Sequence, residues 1–285
     1  MKTITPDEIN KKDLHHLMLG TVIPRPIALV STIDENGIKN LAPFSYFNAI
    51  SSNPPMLAFS VNLKHDGTKK DTLLNIEKTG VCVVNMVSSD MAFQMSLCGS
   101  VYDKNIDEYK KSGLTPVKNT TIEGFGVAES PVRFECKLNK IISFGTHPGA
   151  SNLIICDVTC IHIDEKIYDD NNKINPAKTG ILGRLGRAYY LKINKENIFK
   201  IAHAKNPTGF DNLPPNILNS PVLSKNEIAQ IAALPILPSR EELKEFKDIL
   251  QTVDEYKLHK IAAAYLKQNE VYEAAKFLMI PVYFL

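Results

Sequence analysis

Tryptophan is absent from the 285 residues, and charge of either sign never accumulates into a long run. With 33 basic against 31 acidic side chains the formal charge is +2, too weak and scattered a field to attract a polyanion or an anionic membrane surface. No apolar stretch approaches the roughly 20 residues that a membrane span requires. The opening Met1-Lys2-Thr3-Ile4-Thr5-Pro6 has no apolar core of a secretory signal. Cysteine is scarce and odd in number: Cys82, Cys98, Cys136, Cys156 and Cys160 form no CxxC pair. They read as reduced, mostly buried thiols of a cytoplasmic protein. Cys156 and Cys160 are four apart, which on an unbroken strand places both on one face. No neighbouring His or Cys completes a zinc set, and no metal is expected. GxGxxG, P-loop, HExxH and GxSxG patterns are missing as well, which disfavours a Rossmann site, nucleoside triphosphate hydrolysis, zinc proteolysis and serine hydrolysis.

What is present begins with Thr5-Pro6-Asp7-Glu8, a capping box opening a helix that Gly20 can close; His15 and His16 on it read as surface histidines. From Arg25 the period changes. Ile27 to Ile33 is a β-rich apolar run, and Asp34-Glu35-Asn36-Gly37 predicts a hairpin in which Asn-Gly supplies positive φ angles, with Ile38 to Leu41 returning. Strands are expected again at Met56–Asn62, Val81–Val87, Gly126–Ala128, Val132–Leu138, Ile141–Phe144 and Asn152–Ile163. Between them lie a helix capped by Asp71 or Thr72 and ended by Gly80, and a Met-rich helix from Asp90 to Cys98. Short strands with only short helices between them predict an antiparallel barrel with peripheral helices, a mainly β fold.

The pattern changes near residue 195. After an irregular connector containing Pro207, Pro214, Pro215 and Pro221, Ser239-Arg240-Glu241-Glu242 opens a capped stretch. Leu243, Phe246, Leu250 and Val253, then Leu258, Ile261 and Tyr265, recur at helical steps. Residues 1–195 and 196–285 are therefore read as a barrel domain and an α-helical C-terminal extension. The apolar stripe of the extension is expected to cover the barrel or a second subunit, and to line or narrow a ligand pocket. The final run Phe277 to Leu285 is expected to tuck into the core or a partner.

The candidate site lies between Pro24 and Thr72. Phe44, Tyr46 and Phe47 are either ordinary core aromatics or the wall of a planar ligand. Asp71 and Thr72 are either a helix cap alone or part of a phosphate cradle, and Lys69-Lys70 either a solvated pair or its cation. The ordered set Pro24-Arg25-Pro26-Ile27-Ala28-Leu29-Val30-Ser31-Thr32, Gly37, Asn40-Leu41-Ala42-Pro43-Phe44-Ser45-Tyr46-Phe47-Asn48, Pro54-Pro55, Lys70-Asp71-Thr72 and Val84-Asn85 resembles the flavin reductase-like, FMN-binding split-barrel family, including its flavoredoxin type. The likeness runs over roughly residues 20 to 190, with Gly183-Arg184-Leu185-Gly186 and Tyr190 similar to the closing segment.

The resemblance implies a split β-barrel and an FMN-binding homodimer with flavin at the subunit interface. Phe44, Ser45, Tyr46, Phe47 and Asn48 would line the isoalloxazine, Ser60 would supply the small polar position on the next strand, and Lys70, Asp71 and Thr72 would hold the phosphate. It implies an NAD(P)H-dependent oxidoreductase passing electrons to flavin and to a second acceptor that the sequence does not name. Two alternatives stay open: a flavoredoxin-like electron carrier without direct NAD(P)H use, and a dimeric interaction module that has lost flavin. No side chain is assigned a catalytic role. His147, followed by Pro148-Gly149, departs from the family's histidine context and reads as a loop residue.

Overall fold

The computed structural model describes every residue except Lys104 and Ala202. The chain divides into two compact units, Met1–Ile198 and Phe199–Leu285.

In the first unit seven antiparallel strands form one sheet: β1 (Ala28–Ile33), β2 (Lys39–Phe44), β3 (Phe47–Ser52), β4 (Pro55–Asn62), β5 (Val81–Met86), and the long pair β8 (Val132–Ser143) and β9 (Ser151–Ile163). Two small ribbons, β6 (Pro116–Lys118) with β7 (Phe125–Val127) and β10 (Leu182–Gly186) with β11 (Tyr189–Lys192), accompany it. The strand order β2-β1-β5-β8-β9-β4-β3 puts β2 and β3 at opposite edges. Yet only Ser45 and Tyr46 separate them in the chain. Three peptide units reach at most about 11 Å, so the sheet must curl until its two edges adjoin. No ladder joins them among the described residues, and the result is a barrel split along one seam, not a closed one.

Alternation fixes what each face buries. Ala28 and Val30 of β1 join Phe44, Phe59, Leu73, Ile76, Val84, Ile154 and Cys156 in one cluster. Ile27 and Leu29 join Leu41, Met91, Met95, Tyr109 and Val127 in another. β1 is thus covered on both sides, which is why its sequence reads as an unbroken apolar run.

Helices α1 (Lys11–Thr21), α2 (Asp71–Thr79), α3 (Ala92–Leu97) and α4 (Glu108–Ser112) complete this unit. Several expectations change in detail. The first helix is interrupted: Pro6–Glu8 makes a 3-10 turn with Thr5 at its N-cap, Ile9 is extended, and Asn10, accepting from the Asp13 N–H at 2.9 Å, caps α1, with Gly20 inside it. At the hairpin only Gly37 takes positive φ; Asp34 Oδ1 instead accepts the Asn36 and Ile38 N–H groups, both at 2.8 Å. The two strands expected across 132–144 are one strand with a register shift between Leu138 and Lys140. Gly80, at φ 70°, does end α2.

The second unit holds α5 (Pro215–Leu218), α6 (Lys225–Ala232), a 3-10 turn at Lys244–Gln251, α7 (Glu255–Lys267) and α8 (Val271–Phe284). Its apolar stripe does not wait for another surface. Leu243, Leu258, Ala262, Leu266 and Leu278 form its own core with Ile217, Ile228 and Ile231, and Phe246, Leu250, Val253, Ile261 and Tyr265 pack against them. A set of helices this size can bury a single stripe from each, so the unit satisfies itself.

No helix among the described residues is long and apolar enough to cross a membrane, and all five cysteines are free thiols.

Candidate functional site

The seam between β2 and β3 carries most of the expected residues. Phe44 ends β2 with its ring 5.7 Å from that of Phe59 on β4, and both are buried. Ser45 is half-buried in the connection, while Tyr46 points outward, 37% exposed. Phe47 opens β3 opposite Phe59 and is buried. Asn48 is exposed, and its Oδ1 accepts the N–H of Ala49 at 2.9 Å. Ser60, half-buried on β4, donates its N–H to the Tyr46 carbonyl at 2.9 Å, fixing the connection to the strand beside it.

The basic end is built on α2. Its N-cap is Lys70, which offers no side-chain hydrogen bond, so the helix is not capped by Asp71 or Thr72 as the sequence suggested. These two are its first residues, and the start of a nine-residue helix has N–H groups without an intrahelical partner and carries the positive end of the dipole. Thr72 is buried, its hydroxyl accepting from Asn40 Nδ2 at 3.0 Å. Asn40 and Asn75 also both donate to the Thr32 hydroxyl, at 3.1 and 3.0 Å, so a polar cluster locks the start of α2 onto β1 and β2. The Thr72 side chain therefore serves packing, and the residue as a whole is buried.

The two adjacent lysines have different surroundings. Lys69 pairs with Glu77 at 2.7 Å. Lys70 has no carboxylate partner among the described residues, and its Nζ lies 5.7 Å from the centre of the Phe44 ring. Partial burial, and then the like charge of Lys64, hold its ammonium below the usual lysine range. Lys70 thus connects the cationic end to the aromatic seam.

The sequence assigned no role to Lys64, or to Arg25 beyond its place in the resembling motif. Arg25 is buried; its Nη1 donates to the carbonyls of Leu19 and Val22, at 2.7 and 2.6 Å, tying down the last turn of α1. Its Cζ lies 6.0 Å from the Tyr46 ring centre. Flanking prolines are the only local sign that this arginine is held rather than solvated. Arg184 stacks over Tyr190 at 4.5 Å, bonds the Arg187 carbonyl, and exchanges two main-chain hydrogen bonds with Arg25. His147 is exposed on a loop. A cleft of about 500 Å³ between α1 and the β10–β11 turn, lined by His16, Leu19, Gly20 and Tyr189, includes none of the expected flavin residues.

A curled split sheet thus brings an aromatic seam close to a lysine at the start of α2. The sequence matches the flavin reductase like domain over residues 19–177, and the chain belongs to that family. Among its relatives, an uncharacterized protein of Aquifex aeolicus is 38% identical over 195 residues, 68% of this chain and 97% of the other. Among solved structures, nitrilotriacetate monooxygenase component B from Bacillus cereus superposes with a TM-score of 0.66 at 32% identity, over 70% of this chain and 98% of that one. The 2-nitrobenzoate 2-nitroreductase NbaA of Pseudomonas fluorescens gives 0.63 at 30% identity, over 70% and 96%.

Proposed function

We propose that the barrel unit binds FMN along the β2–β3 seam, as one half of a homodimer, and acts as an NAD(P)H-dependent flavin reductase that serves a second acceptor. The residues present suit the cofactor. Phe44 and Phe47 offer an apolar floor, residues 45–48 run from the connection into the edge strand β3, where main-chain N–H groups would meet the ring, and Ser60 adds a small polar neighbour. Lys70 and the main-chain N–H groups of Asp71 and Thr72 would take the phosphate; the Asp71 carboxylate would not, since like charges repel. Asn48, Ala49 and Ile50 are exposed on the edge strand in a single chain, where a second copy would supply the other wall.

Held there by Phe44, Phe47 and Lys70, FMN would supply hydride- and electron-transfer chemistry between a nicotinamide and the second acceptor. The protein's task is to hold the ring against Phe44 and Phe47, to neutralise the phosphate with Lys70, and to exclude water from the seam. No side-chain nucleophile or base is needed for this reaction. The neighbours fit the reading: one is a monooxygenase component and the other a nitroreductase, both redox proteins by name.

The observation that carries the proposal is Lys70, unpaired and drawn over the Phe44 ring while its neighbour Lys69 is neutralised by Glu77. The test is a visible spectrum of the purified chain before and after FMN addition and desalting, followed by each nicotinamide in the same cuvette. Retained flavin bands that bleach with NADH or NADPH are expected. Bands that stay unbleached would refute the reductase in favour of a carrier, and absence of both binding and turnover would refute flavin use altogether.

A further inference from the structure

A second cluster of chemically able side chains lies at the far end of β9 from Leu153, the partner of Ser60. It is independent of the flavin reading. Glu135 on β8 stands opposite Cys160 on β9, and Arg133 opposite His162. One step along, Cys136 stands opposite Val158, so Thr159 is an extra residue, a bulge. The bulge reverses the alternation. Cys156 lies in the core, its Sγ 3.8 Å from that of Cys82, whereas Cys160 turns to the opposite face beside Glu135. The sequence placed both cysteines on one face and found no histidine beside them; His162, two residues on, is that histidine.

Glu135 is fully buried, with 0% exposure. Its Oε1 accepts the Thr120 N–H and lies 2.6 Å from His162 Nε2; its Oε2 accepts the N–H and hydroxyl of Thr121, each contact at 2.6 Å. Cys160 Sγ is 3.7 Å from the same Nε2. One carboxylate oxygen, one imidazole nitrogen and one sulfur lie within 4.8 Å of one another, the one such trio among the described residues.

We infer that Glu135, Cys160 and His162 form a binding site for a thiophilic divalent cation of the zinc class, with water completing a tetrahedron. Zinc takes sulfur at about 2.3 Å and imidazole or carboxylate at about 2.0–2.2 Å, which sets tetrahedral ligand atoms roughly 3–4 Å apart. The sulfur–nitrogen pair is already at that separation. The nitrogen–oxygen pair is shorter because a proton bridges it, and an ion taking the proton's place needs the pair to open by about 1 Å or less. His162 can make that movement, since its side chain is 27% exposed. Cys160 binds as thiolate and releases its proton to water, and the proton displaced from between His162 Nε2 and Glu135 is carried on Nδ1 while Nε2 ligates. A sulfur ligand selects zinc-like ions over magnesium and calcium. Thr120 and Thr121 already supply the outer hydrogen bonds that aim a ligating carboxylate. The ion would tie the β9 bulge to the Thr120–Thr121 turn, where Thr121 and Thr159 hydroxyls also meet at 2.7 Å.

The test is cobalt(II) titration of the full chain after chelator treatment, in a non-thiol reductant, followed by zinc chloride. One equivalent is expected to bind with a thiolate-to-cobalt charge-transfer band and tetrahedral ligand-field bands, all displaced by zinc. Cys160→Ser should abolish the charge-transfer band, and Cys160→Ser and His162→Gln should each weaken zinc binding at least about 10-fold. His16→Gln should change neither. Absence of a charge-transfer band in the unaltered chain overturns the site, as does binding that Cys160→Ser and His162→Gln leave untouched. Because the unaltered chain decides the first point, failure of a variant to fold does not shelter the proposal.

Discussion

The two units bury different things. The C-terminal core is almost wholly aliphatic, with His259 its one buried polar side chain among the described residues; the barrel unit buries Arg25, Ser31, Thr32, Thr72, Asn75, Asn85, Glu135 and Asn152 as well. Buried polar groups cost free energy unless paired, so a fold retains them where they position something. In the barrel unit they lock α2 to the sheet, bring the Thr120–Thr121 turn onto β8, and tie down the last turn of α1. The helical unit has one such device and is otherwise ordinary packing. The proposed flavin seam and the proposed cation site both fall in the unit where polar burial is dense.

The largest test of that contrast is a matched pair of core truncations. Phe59→Ala and Leu258→Ala should each destabilise their own unit by about 2–5 kcal/mol, measured by denaturant or thermal unfolding. Phe59→Ala should also lower flavin uptake, because Phe44 loses its partner ring, while Leu258→Ala should leave uptake intact in protein that remains folded. Equal loss of uptake in both would erase the distinction. Next, Lys70→Ala should weaken FMN by about 1.5–3 kcal/mol, the worth of a hydrogen bond to a charged group, and leave riboflavin, which lacks the phosphate, unchanged. Fluorescence titration with the two ligands separates them.

A third effect belongs to the helical unit. His259 is buried, its Nδ1 2.6 Å from the Ser220 hydroxyl, and burial lowers its pKa despite the opposing pull of Glu255. The unfolded chain therefore takes up the proton first as pH falls below about 6.5. Stability of this unit should decline from that point down to the lowered folded value and then level off. His259→Gln should flatten this part of the profile, and an unchanged slope would contradict the assignment. The smallest expected effect is that of Lys69→Ala, which removes an exposed ion pair with Glu77 and should cost no more than about 1 kcal/mol, with FMN affinity unaltered.

Legibility follows the same division. Leu243, Phe246, Leu258, Ile261 and Tyr265 are readable as helix faces because the helical period is local, but their destination is not, and it proves to be their own core. Ile27 to Ile33 is readable as a strand, and Gly80 as a helix end. Strand order is invisible, so nothing local announces that Phe44 and Phe47 sit on opposite edges of one sheet. Which of Lys69 and Lys70 is free depends on Glu77, eight residues from the first, and on a ring one strand away. Asp71 and Thr72 look like caps because those residue types favour caps; Thr72 is instead held beneath the helix by Asn40, a partner 32 positions distant.

The single extra residue at Thr159 has a consequence for how relatives of this chain should be compared. In a strand, a one-residue deletion exchanges the inward and outward sets for everything downstream. A homologue lacking the counterpart of Thr159 could keep both the cysteine and the histidine in its sequence and still present neither to the carboxylate on the adjoining strand. Identity at positions 160 and 162 is therefore no guide by itself; the spacing back to Cys156 is the character that must be inherited with them.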